Sequence, residues 1–160
     1  MESRVKVLGH PAHPILVVFP LGLFATAVIF DVLYLAGRDP LFASVAYWMI
    51  VAGIIGGLVA APFGLVDWLA IPWETRAKAI GMLHGLGNAL VLLLFMGSWL
   101  LRRNVPGAPG TWAHVLAFGG AGLVLLTGWL GGELVDRLGV GVDEGANLNA
   151  PSSMSGRAAR

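Results

Sequence analysis

Four apolar runs, each long enough to cross a bilayer, dominate the chain and leave few folds open to it. They lie at about 15–36, 44–71, 79–101 and 112–135. Roughly 20 helical residues, rising ~1.5 Å each, cross ~30 Å of hydrocarbon. In lipid the backbone must satisfy its own hydrogen bonds, so runs of this kind fold as helices. Only "GRDPLFA", "PWETRAK" and "RRNVPGAPGT" separate them, and connections that short make each helix antiparallel to the next. The expected fold is an all-α integral membrane protein, an antiparallel four-helix transmembrane bundle. Composition agrees: 57% of the 160 residues are apolar and 12% charged, against roughly 25% charged in soluble domains. The first run exceeds the ~7–15 residues of a signal-peptide core and has no small-residue cleavage site behind it, so it is expected to remain as a span.

The bundle is expected to occupy residues 1–138, and the polar run 139–160 to form a flexible tail with little to bury. An even number of spans puts both termini on one side, here called face A. Arg4, Lys6, Arg76, Lys78 and Arg137 fall there, with Arg157 and Arg160 in the tail; Arg38, Arg102 and Arg103 fall on the opposite face B. That excess points face A to the cytoplasm. A net charge of +1 argues against a nucleic-acid partner. The absence of cysteine excludes disulfides, cysteine-held iron–sulfur clusters and covalently attached c-type haem.

The polar residues inside the runs repeat. Spans one and three open at face A with histidine, in "HPAHP" and "MLHGLGN"; spans two and four end there with a carboxylate, in "GLVDW" and "GWLGGE". His10, His13, Asp67, His84 and Glu133 therefore sit at similar depth, where an ionisable group is costly unless paired or hydrated. Gly53, Gly57, Ala60, Gly64 and Asp67 follow helical spacing along one seam, as do Gly81, His84, Gly85 and Asn88. Pro11 and Pro14 can occupy a first helical turn without losing a hydrogen bond, whereas Pro20 sits deeper and frees a carbonyl near Leu16. The expected picture is one cavity near face A. Its candidate cofactor ligands are His10, His13, His84 and Asn88; Asp67 and Glu133 join the histidines as candidate metal ligands. Arg76, Arg137, Pro11, Pro14 and Pro20 support it.

Plainer roles compete with that picture. His84 serves equally as a packing residue, and Asp67 with Arg76 as an interfacial ion pair. The glycines pack helices and offer faces for homo-oligomers; Trp68, Trp73, Trp99 and Trp112 read as an interfacial belt. Asp31, Arg38, Arg102, Arg103 and His114 read as a scattered rim at face B with no assigned chemistry.

With these motifs, "GHPAHPILVVFPLGL" followed by "FD", then "GLVDW", "HGLGN" and "GWLGGELV", the chain resembles the bacterial domain-of-unknown-function family 2231 from Leu8 to Val142. The resemblance implies four spans in a bacterial cytoplasmic (inner) membrane. Relatives joined to Rieske-type or cytochrome-type modules imply an electron-transfer setting and redox proteins as partners. Asp136 and Leu138 stand where relatives often carry an aromatic residue and a histidine, which removes that histidine from this chain.

Three functions follow as expectations. The first is a membrane redox subunit holding haem b, by His84 with His10 or His13, or a transition metal held by the histidines with Asp67 or Glu133. The second is a proton or small-ion transporter, the third a non-catalytic scaffold or accessory subunit. No serine or cysteine stands beside the histidines for a hydrolase, and no catalytic residue is assigned.

Overall fold

The structure is a computed structural model that describes residues 1–155. Two short strands, β1 (Lys6–Val7) and β2 (His10–Pro11), pair antiparallel ahead of four helices. The helices are α1 (Ala12–Gly37), α2 (Pro40–Ala70), α3 (Arg76–Arg102) and α4 (Thr111–Gly132). A π-helical turn, Glu133–Arg137, continues α4. All four helices are long and apolar enough to cross a membrane, and the fold is the expected all-α membrane bundle. α2 and α3 begin a few residues ahead of their apolar runs because side-chain caps extend them. The Asp39 side chain accepts from Leu41 N–H ahead of α2, where Pro40 takes the first helical position. Thr75 Oγ1 accepts from Lys78 N–H ahead of α3.

α1 packs closely on α2 and α3 on α4, and the two hairpins meet less extensively. Phe24, Ala27, Ala46, Ile50, Ile54, Val91, Phe95 and Ala117 form the buried core. Leucines, valines and Trp48, Trp112 and Trp129 face outward, as lipid requires.

Three side-chain pairs join α1 to α3 across this bundle: His13 with His84, Phe24 with Phe95, and Asp31 with Arg102. Each pair keeps one 71-residue offset (13 to 84, 24 to 95, 31 to 102). A second offset, 67 residues, relates α2 to α4. Gly53 lies under Phe24 and Gly120 under Phe95, while Gly64 lies under His13 and Gly131 under His84. The hairpins are thus two copies of one unit, arranged as parallel repeats about an axis along the bundle. On the 67-residue offset the counterpart of Asp67 is Leu134, so the expected pairing of Asp67 with Glu133 is one residue out of register.

Chain ends meet at face A. The Met1 ammonium donates to Gly139 O, and Gly141 N–H donates to Met1 O. Farther along, Glu144 N–H donates to Glu2 and Ser153 Oγ donates to Leu8 O. The segment expected as a flexible tail is therefore laid, through Ser153, against the N-terminal residues. Arg157 and Arg160 lie outside the described residues.

Candidate two-histidine site

His13 stands in the first turn of α1, where Pro14 follows it without removing a helical hydrogen bond. Its Nδ1 lies 3.1 Å from Ala60 O of α2. His84, in α3, places Nδ1 2.9 Å from Thr127 O of α4. Ala60 and Thr127 are themselves related by the 67-residue offset. A carbonyl can only accept, so each Nδ1 carries its hydrogen and each neutral ring keeps its lone pair on Nε2. The glycine four residues beyond each carbonyl opens the way for the ring. A Cβ at Gly64 would lie 2.8 Å from His13 Cε1, and one at Gly131 3.1 Å from His84 Cε1. The ring centres are 6.4 Å apart and their planes 86° to one another.

Asn88 breaks the symmetry. Its Nδ2 donates to His84 Nε2 at 3.1 Å and to His84 O at 3.0 Å, and its counterpart on α1 is Val17. His13 Nε2 has no hydrogen-bond partner among the described residues.

The other expected ligands do not join the pair. His10 is exposed on β2, with Nδ1 3.3 Å from Leu8 O. Asp67 does follow its seam inward, but the N-terminal segment closes over it. It accepts from Ser3 Oγ at 2.9 and 2.8 Å and from Arg4 N–H at 2.7 Å. Glu133 forms an ion pair with Arg76 at 2.5 Å, so Arg76 is not the partner of Asp67. Arg137 is exposed. Pro11 ends β2 and precedes α1, and Pro20 is buried in mid-helix against Gly56. The single cavity holding five ligands is thus corrected to two facing imidazoles. Among the described residues no three His, Cys, Asp or Glu side chains are grouped to hold a metal ion.

The family model of a predicted membrane protein, DUF2231, matches residues 9–144. The chain belongs to the DUF2231 family. No curated protein and no solved structure matches it. The matched span of this DUF2231 chain includes all four helices, both histidines and both carbonyls that hold them.

This DUF2231 bundle has a second polar centre, at face B, which the rim reading overlooked. Arg102 and Asp31 are both fully buried and form a bidentate pair, Nη1 to Oδ1 at 2.9 Å and Nη2 to Oδ2 at 3.1 Å. Arg102 Nη2 also donates to Ser98 Oγ and Ala113 O, and Ser98 Oγ donates to Ala113 O at 2.6 Å. His114 lies beside them, its Nε2 3.8 Å from Asp31 Oδ1. An acid inside the first apolar run and an arginine at the end of the third, at the offset of the two histidines, was the signal available in the sequence.

Lys78 marks the face-A boundary of α3. It is buried, donates to Trp68 O at 2.8 Å, and sits 4.1 Å from the Trp68 ring centre and 4.4 Å from that of Trp73. The two indoles shield the ammonium while the carbonyls at the end of α2 bond it.

Proposed function

We propose that this protein is a membrane redox subunit in which His13 and His84 would hold the iron of one haem b through their Nε2 atoms. The carrying observation is the disposition of the two rings. They are repeat-related, each oriented by an Nδ1–H···O=C bond of the kind that fixes iron-binding imidazoles. Their centres are 6.4 Å apart. Two imidazoles bound trans at ~2 Å to one metal put their centres roughly 6 Å apart, whereas a tetrahedral ion draws them closer. Asp67 and Glu133 are engaged elsewhere, which favours haem over a mononuclear metal. In this arrangement His84 Nε2 would be the atom that holds the iron, and Asn88, whose Nδ2 now donates to it, would stay beside it as a neighbouring amide. The haem would supply one-electron chemistry; the protein holds two neutral imidazoles in fixed orientation through Ala60 O and Thr127 O.

We read face A as cytoplasmic and the membrane as a bacterial inner membrane, with redox proteins as partners. The excess of basic residues on face A and the resemblance support this. Reporter fusions at either terminus would register on the cytoplasmic side, and periplasmic activity from both would reverse the orientation. Transport has less support, because Phe24, Phe95, Ile50 and Ile54 fill the middle of the bundle without a polar step.

The test is a visible spectrum of protein purified in mild detergent after haem reconstitution. A Soret band and split α/β bands on reduction are expected, lost in His13→Ala and in His84→Ala and retained in His10→Ala. No Soret band, or one indifferent to both ligand variants, overturns the reading.

A further inference from the structure

We infer that His114 Nε2 and Asp31 Oδ1 together form a buried binding site for one exchangeable proton, filled from face B. This rests on the second polar centre and is independent of haem at the first.

His114 Nδ1 is 3.2 Å from Gly110 O, so that nitrogen carries hydrogen. The other nitrogen, Nε2, is buried, has no hydrogen-bond partner among the described residues, and faces the carboxylate oxygen at 3.8 Å. In the neutral ring two acceptors confront each other with no hydrogen between them. A proton on Nε2 turns that confrontation into an ion pair, which becomes a charge-assisted hydrogen bond when the imidazolium closes the 3.8 Å gap to Oδ1. The proton comes from hydronium at face B, where His114 occupies the first turn of α4; the hydronium O–H bond breaks to leave water as the N–H bond forms from the ring lone pair, with no change of oxidation state.

The surrounding charges permit both states. On α3, Arg102 already balances Asp31. On α1, Tyr34 stacks on the imidazole, ring centres 5.7 Å apart and 5° from parallel, and Arg38 lies 5.7 Å over the Tyr34 ring. On α2, the Tyr47 hydroxyl accepts from Trp99 Nε1. Once filled, the site adds His114 of α4 to the Asp31–Arg102 pair, so that its occupancy tightens the seam between the two hairpins.

Histidine-labelled protein in lipid nanodiscs tests this by nitrogen NMR, the His114 signal being assigned by its loss in His114→Gln. Between about pH 8 and about pH 4, Nε2 is expected to gain its proton while Nδ1 stays protonated. Asp31→Asn is expected to lower that midpoint by about one unit or more, because it removes the facing negative charge. Should that variant not fold, His114→Gln serves, since its amide offers a permanent donor. The pH dependence of the wild-type melting temperature across the same interval is then expected to become shallower, by the share that His114 contributes, while the shares of the terminal clasp and the other histidines persist. An Nε2 that stays unprotonated throughout, a midpoint unmoved by Asp31→Asn, or an unchanged pH dependence in His114→Gln overturns the inference.

Discussion

Arg102 shows how much a single position carries in this bundle. Its guanidinium has no exposed surface and closes the pair with Asp31. Arg102→Leu is expected to cost about 3–5 kcal/mol, because it strands a buried carboxylate. Asp31→Leu combined with Arg102→Leu is expected to recover most of that loss, which a double-mutant cycle of detergent unfolding would measure. Gly64 and Gly131 are the matching positions at face A. Alanine at Gly64 would put a methyl 2.8 Å from His13 Cε1, so Gly64→Ala is expected to turn the ring off Ala60 O and shift or abolish the Soret band with the fold retained. The histidines themselves were legible, since imidazoles are conspicuous within "HPAHP" and "MLHGLGN". Their anchors were not: Ala60 and Thr127 act through backbone carbonyls, which no side-chain pattern announces.

At the scale of elements, hydropathy located the four helices, and the caps Asp39 and Thr75 account for the early starts of α2 and α3 that hydropathy missed. The terminal segments lay beyond such reading, because short polar stretches carry no period and their partners are 63 or more residues away. Ser3 and the backbone of Arg4 hold the Asp67 carboxylate. Asp67→Ala is therefore expected to release the N-terminal segment and speed hydrogen exchange at Arg4 N–H. Farther out, Lys6 bridges Glu2 and Asp143. The hydrogen bond from Lys6, then the backbone N–H of Glu144, holds the Glu2 carboxyl below its ordinary range. For Asp143 the Gly145 N–H comes first, then Lys6; the bond to Glu2 raises Lys6. Depressed carboxylates contribute above their unfolded values and lose that contribution as pH falls; a raised lysine contributes below its unfolded value and loses it as pH rises. The clasp is thus complete at neutral pH and is expected to open below about pH 4. Faster exchange at Glu144 N–H in acid would register it.

Across the whole molecule, the repeat fixes how the hairpins sit, and it was only partly legible. Two histidines heading alternate spans suggested duplication; the constant offsets appear once Phe24 is seen stacked on Phe95 and Asp31 bonded to Arg102. Those contacts run along the α1–α3 diagonal, whereas connection lengths report only on sequential neighbours. Eighteen residues of α1 separate His13 from Asp31, and eighteen of α3 separate His84 from Arg102, a rise of roughly 27 Å at 1.5 Å per residue. That is close to the ~30 Å of a hydrocarbon layer. Two rivets set so far apart forbid α1 from sliding past α3, since a one-turn slip would break both at once. In a thinner or thicker bilayer the molecule must answer by leaning as a rigid body or by deforming the lipid around it.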